Sequence, residues 1–329
     1  MLTSESIQNW FTSLDRRLYG LLIGGMIGVT GGVIGLMVTL LGPVITSGAI
    51  LGGLAGVYVL TSVSAALYGM IFVLILLPFG TLPFSIGFTP TLLDMAIGAF
   101  LLVYLSQWMT GKRRGIRLTP IHSLIVLYVL WLLLAFVLGL RWAPPTANII
   151  RQFAETLLSI GLVFVLVDLL RDPVLLRRLV FVVIVAIGIQ AVLVLMLYMM
   201  PNDIAERVLL TLSRIGYPNG GIIRYIESNP ALAERAIGTW VDPNTLGGAL
   251  AIAATMIAPQ VFARKPVLRY RWLTLIVLGM VALSLFLSYS RTSMAAFGIG
   301  LFLIAMTRYR RFLPLMVVVG LLIFLLPQT

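Results

Sequence analysis

Cysteine is absent from this chain, and histidine occurs once, as His122. Without cysteine there is neither a disulfide framework nor a thiolate metal site, and the redox compartment is left open. One histidine cannot build a histidine metal cluster, and no Ser-His-Asp set or Cys-His pair can be assembled. Acidic residues are also scarce, with 11 Asp and Glu against 23 Lys and Arg, and charged residues make up only 10% of the chain. No acidic cluster suited to a metal emerges, so neither a metal nor another cofactor is expected. Glycine is plentiful, but no strand–loop–helix context with Gly-Lys-Ser/Thr follows any glycine run, which argues against a phosphate-cradling loop.

What is present is apolar. Hydrophobic residues make up 60% of the 329 positions. A soluble domain of this length could not hide so much apolar surface, so lipid is the solvent for most of it. Residues 1–17 lack the apolar core of a cleavable signal. Ile7, Trp10, Phe11, Leu14 and Leu18 instead follow helical spacing, which predicts a short helix on the membrane surface. Residues 18–78 are nearly uncharged and predict three spans, broken near Gly42-Pro43 and Thr61-Ser62. Gly20, Gly24, Gly28 and Gly32, and again Gly48, Gly52 and Gly56, recur every fourth residue, a ridge that favours close helix packing in lipid. Further spans are expected at 91–108, 119–138, 149–170, 179–199, 244–262, 272–289, 293–307 and 312–326.

The expected fold is therefore all-α, a polytopic integral membrane protein of about 11 transmembrane helices, each ~20 residues long, with a cytoplasmic N-terminus. Its parts would be an interfacial segment at 1–17, seven helices within 18–200, an extracytoplasmic loop at 201–243, and a last helical group at 244–329. The charges agree with that orientation. Arg141, Arg151, Arg207, Arg214, Arg224, Arg235 and Arg291 fall outside, while the other basic residues, including both lysines, fall inside. This is the positive-inside pattern, and it explains the net charge of +12 without nucleic acid.

All the outer basic residues are arginine, which binds phosphate in a two-pronged way and stays charged where water is scarce. Asp242-Pro243-Asn244 reads as a helix start, with an Asx cap and proline in the first turn. That alone would make it the mouth of a span; a helix N-terminus also attracts anions. Arg291 is either an arginine snorkelling to the interface or a group needing an anionic partner. Arg235 either pairs with Glu234 or another loop acid, or contacts substrate. Glu155 and Asp168 read as interfacial, Gln190 as an interhelical hydrogen-bonding residue, and His122 as structural.

Glu234-Arg235-Ala236-Ile237-Gly238-Thr239-Trp240-Val241-Asp242-Pro243-Asn244, followed after two apolar segments by Ser288-Tyr289-Ser290-Arg291-Thr292-Ser293, resembles the core of the O-antigen ligase and polymerase family. The likeness is sharpest over 234–307, and Pro83–Asp94, with Phe84, Ile86, Gly87 and Thr91-Leu92-Leu93-Asp94, is similar to an upstream family segment. The resemblance implies a glycosyltransferase of the bacterial plasma membrane that moves a glycan from a polyprenyl diphosphate to an acceptor glycan or lipid. Arg235 and Arg291 match the motif positions and would be catalytic. Arg214, Arg224, Asn244 and Ser290 are candidate diphosphate-binding residues, Arg214 and Arg224 by location alone. The family also carries a large outer loop after the span matching 312–326, with a histidine that activates the acceptor. The resemblance therefore implies that the chain is a truncated sequence lacking its base. Glu227, Glu234 or Asp242 would replace that base poorly unless its pKa were raised. Two other classes stay open: a transporter or flippase for an anionic lipid-linked saccharide, and a structural membrane subunit. The middle spans lack the paired ionisable residues and internal repeat common in transporters.

Overall fold

The computed structural model describes residues 15–81, 89–112, 119–310 and 313. The expected surface helix near the N-terminus, the span 312–326, and Phe84, Ile86 and Gly87 lie wholly or mostly outside these residues. The chain divides into two compact units, one ending at Val59 and the other beginning at Leu60.

Among the described residues the fold is all-α apart from one ribbon of two two-residue strands. Helices α1 (Arg16–Leu41) and α2 (Pro43–Thr61) are followed by α3 (Val63–Leu76), α4 (Leu92–Met109), α5 (Pro120–Gly139), α6 (Ala147–Leu169), α7 (Pro173–Met199), α8 (Asn202–Leu210), α9 (Pro243–Phe262), α10 (Arg271–Leu287) and α11 (Arg291–Arg308). Six of them, α1, α4, α5, α6, α7 and α9, are long and apolar enough to cross a membrane, while α3 and α10 are shorter apolar helices.

Helix starts follow local chemistry. The Thr91 hydroxyl accepts from the Asp94 amide at 3.0 Å, and the Asp94 carboxylate accepts from the Thr91 amide at 2.8 Å, a capping box that opens α4. Asp172 caps α7 and Pro173 occupies its first turn. Helix α7 thus begins six residues before the span expected at 179, because its first turns carry Arg177 and Arg178 rather than ending at them. The Arg177 guanidinium donates to the Pro266 carbonyl at 2.8 Å.

Helix α7 is the hub of the second unit. It packs against α3, α9 and α10, and α9 in turn packs against α10 and α11. Ile184, Ile187, Ala191 and Val194 of α7 join Leu246, Leu250, Ala254 and Ile257 of α9 and Val281 and Leu285 of α10 in one buried cluster. In the most apolar stretch of α7 and of α9, 39% of residues are buried, against 6% in α5 and in α6, which places the former pair centrally. A Cβ at Gly300 on α11 would lie 2.8 Å from Thr255 of α9, so these two helices need a small residue at their contact. The glycine ridge of α1 behaves differently. A Cβ at Gly20, Gly24, Gly28 or Gly32 would meet nothing within 4 Å, so the close packing expected of the ridge is not made among the described residues. The spacing shows that a backbone can approach there, and carries no information on what does.

Residues 201–242 are a folded cap, not an open loop. Helix α8 turns Ala205 and Leu209 inward, where they pack with Leu197, Ile222 and Ile237. A 3-10 turn at Thr211–Ile215 follows, then strands β1 (Arg224–Tyr225) and β2 (Glu234–Arg235), which pair antiparallel.

Candidate functional site at the cap

Two segments meet at one end of the second unit: the stretch from Glu234 to Thr245, and the turn joining α10 to α11. The Ala236 amide donates to the Leu287 carbonyl at 2.8 Å. Beside it, Arg235 donates through Nε to the Ser288 carbonyl at 2.9 Å and through a terminal nitrogen to Asn244 Oδ1 at 2.8 Å. Arg235 therefore clamps β2, the end of α10 and the start of α9 together. Both acceptors are uncharged, and among the described residues no carboxylate lies within ion-pair distance of Arg235, Glu234 included. Burial pushes the Arg235 pKa down, and the nearby Asp242 charge pushes it back up.

Two further arginines flank the clamp. Arg224 stands opposite Arg235 in the ribbon register, with Tyr225 opposite Glu234. Directly opposed residues share a face with Cβ atoms roughly 4.5–5.5 Å apart, and like charges so placed repel. Arg224 is exposed and makes no hydrogen bond or ion pair among the described residues. Arg291 is the first residue of α11, also exposed and without such a partner. A cation at a helix N-terminus is disfavoured by the helix dipole. Arg224 and Arg291 thus stand at the cap without an ion-pair partner among the described residues, and the cap also carries Asp203, Glu206, Glu227, Glu234 and Asp242.

The remaining candidates are sorted by the same geometry. Asn244 orients Arg235. Ser290 is buried, its hydroxyl 2.8 Å from that of Ser293, so it shapes the turn from within. Arg214 is not brought to this turn; it lines an open cleft of about 430 Å³ with Arg207, Leu210 and Thr211. Asp242 caps α9, accepting from the Asn244 and Thr245 amides at 2.6 and 3.1 Å. Glu227 is exposed. Glu155 pairs with Arg151 at 2.6 Å, and Asp168 accepts from the Tyr104 hydroxyl at 3.1 Å. His122 is buried, with Nδ1 2.6 Å from the Thr119 hydroxyl and its ring against Phe164.

A second anchor holds the cap in place. The 3-10 turn Gly238–Trp240 sits against α7, where the Thr239 hydroxyl donates to Oε1 of the fully buried Gln190 at 3.0 Å. The Trp240 indole donates to the Ile75 carbonyl of α3 at 2.8 Å. Gln190 was expected to bond between helices; its partner is this turn. Val241 then adopts φ 60 and ψ −37, a conformation strained for a β-branched side chain. None of these anchors was evident from the sequence, where Gly238 followed by Thr-Trp was the one available sign.

Helix α9 approaches the serine turn closely. A Cβ at Gly247 would lie 2.9 Å from Ser290 Cβ and from Ser293 Oγ. Gly247→Ala is therefore expected to shift the turn and cost about 1–3 kcal/mol, read as a lower melting temperature of the purified protein. Unchanged melting would show that the turn yields freely.

Among the described residues, no group of three or more His, Cys, Asp or Glu is assembled where it could hold a metal ion. No family model, curated protein or solved structure matches the chain.

Proposed function

We propose that this protein is a membrane glycosyltransferase that moves a glycan from a polyprenyl diphosphate to an acceptor glycan or lipid at the outer face of a bacterial plasma membrane. The observation that carries the reading is the set of three arginines at the cap: Arg235 held by neutral acceptors, Arg224 opposed to it, and Arg291 unpaired. Breaking the bond between the sugar and the diphosphate develops negative charge on the leaving oxygen, and fixed cationic donors aimed at that charge accelerate the step. Arginine suits the task because its fork matches phosphate oxygens and its charge survives partial burial. The resemblance of 234–244 and 288–293 to O-antigen ligases and polymerases agrees with this chemistry. The acceptor decides between ligation and polymerisation.

The test is transfer by the purified chain in proteoliposomes, supplied with a polyprenyl-diphosphate-linked saccharide and a glycan acceptor. The expected result is new glycosidic product with release of polyprenyl diphosphate. Movement of the lipid-linked saccharide across the bilayer without product would favour a flippase and overturn the reading.

The absence of native cysteine permits a direct test of sidedness. A single Asn219→Cys is expected to react with an impermeant maleimide in intact cells, and a single Lys265→Cys only after lysis. The reverse pattern would move the cap to the cytoplasm and remove the proposed site from the outer face.

A further inference from the structure

We propose that a second copy of this chain docks on the outward face of α6, the two copies meeting in a seam of hydrogen bonds near the middle of the membrane. The inference does not depend on the glycosyltransferase reading.

Spacing and depth define the seam. Gln152, Thr156, Ser159 and Val163 follow one another at intervals of four, three and four residues, and all are exposed. Those intervals are the heptad repeat by which two helices pack knobs into holes, the commonest crossing in membrane bundles. Helix α6 runs from Ala147 to Leu169, so its midpoint is Leu158. At about 1.5 Å per residue, Ser159, Thr156 and Gln152 lie about 1.5, 3 and 9 Å from that midpoint along the axis. All three therefore fall inside a hydrocarbon core about 30 Å thick.

Acyl chains offer no hydrogen-bonding group at that depth, so polar side chains turned toward them are costly. The side chains of Gln152 and Ser159 have no hydrogen-bond partner among the described residues. The Thr156 hydroxyl donates to the Gln152 carbonyl at 2.8 Å, which leaves its oxygen able to accept.

The seam borders an open groove of about 860 Å³, whose other wall is formed by Leu124 and Tyr128 of α5. The lining of α6 runs from Gln152 to Val163, about 16 Å along the axis. A groove of that length beside a heptad seam is shaped to seat a helix. A phospholipid tail would fill it and leave Gln152 and Ser159 unsatisfied.

The residue types identify the helix as that of a second copy. Two copies inserted in the same sense are related by a two-fold axis along the membrane normal, so each residue near the axis meets its own counterpart at equal depth. A side chain amide or hydroxyl is both donor and acceptor and can bond to its own kind, and the polar positions of the seam carry only these. A charge at such a position would oppose itself. The one carboxylate lining the groove, Glu155, is already paired with Arg151 of its own helix at 2.6 Å, and Arg151 also donates to the Thr89 carbonyl at 2.9 Å.

The lack of native cysteine lets the full chain be tested in native membranes. Single Ser159→Cys and Thr156→Cys, oxidised with copper phenanthroline, are each expected to give a covalent dimer. Ile252→Cys, near the middle of α9 and 76% exposed, is expected to give none. The variant with Gln152→Leu, Thr156→Leu and Ser159→Leu should insert as well as wild type, being more apolar. Its dimer, weighed by light scattering in detergent over a concentration series, should dissociate about tenfold more readily or beyond. Absence of cross-linking at both 156 and 159, or equal cross-linking at 252, would overturn the proposal. Wild-type dimer affinity in the triple variant would also overturn it, as would a wild type that is monomeric at every concentration. Cross-linking to a different protein instead would give the seam to another partner and overturn the assignment to a second copy.

Discussion

Replacing Arg291 by lysine is expected to slow glycan transfer by about 10²-fold or more, with the amount of protein in the membrane unchanged. Arg291 is exposed at the first position of α11 and has no partner among the described residues, so folding does not depend on its fork. Lysine keeps the positive charge and the apolar stem, which is all an interfacial anchor requires. It cannot reproduce two parallel hydrogen bonds to a phosphate. The substitution therefore separates anchoring from recognition. Transfer at the wild-type rate by Arg291→Lys would reduce this residue to an anchor. The equivalent change at Arg235 is less discriminating, because that guanidinium also clamps Ser288 and Asn244, so Arg235→Lys would loosen the cap along with the site.

Gly238→Ala should destabilise the cap by about 2–5 kcal/mol, the sum of left-handed backbone strain and overpacking. Gly238 has φ +54, and a Cβ there would come within 2.5 Å of Val194 Cγ2 and 2.6 Å of Gln190 Nε2. Both neighbours are fully buried on the hub helix, so neither can simply move aside. Relief requires the Gly238–Trp240 turn to lift from α7, breaking the bond from Thr239 to Gln190 and drawing on the bond from Trp240 to Ile75. Cleavage of the cap by added protease should rise, and transfer should fall with it. Adding Val194→Ala removes the nearer obstacle and is expected to recover part of the loss. A protease pattern equal to wild type in Gly238→Ala would show that the turn is not seated as described.

Most of the helix pattern could be read from residues alone. Gly42-Pro43 and Thr61-Ser62 do break residues 18–78 into helices, and Asp242-Pro243 does open α9. Such signals are local, because a cap or a proline acts on the turn that contains it. The register that opposes Arg224 to Arg235 is not local. It depends on the ten intervening residues folding back, through Glu227 and Ser228 at positive φ. The buried end of Gln190 was equally hidden, since its partner Thr239 lies 49 residues away. Glycine shows both sides of the matter. The regular ridge of α1 looked like the packing surface, whereas Gly247 and Gly300, which belong to no such ridge, make the close contacts. Among the candidate site residues, Arg224 and Arg235 share the ribbon, and Arg235 bonds to Asn244 at the start of α9 and to Ser288 in the turn that leads to Ser290 and Arg291. Arg214 shared their segment and not their place. Proximity in sequence was a fair guide only where the chain doubles back at once.

The proposed role of Arg235 and Arg291 is to hold the diphosphate of a lipid-linked glycan. Its most direct test is the binding of polyprenyl diphosphate and of uncharged polyprenol to the purified wild-type chain and to an Arg235→Ala/Arg291→Ala double variant. The account predicts that wild type prefers the diphosphate and that the double variant loses this preference while retaining whatever affinity it has for the uncharged lipid. Equal preference for the diphosphate in both proteins would contradict it.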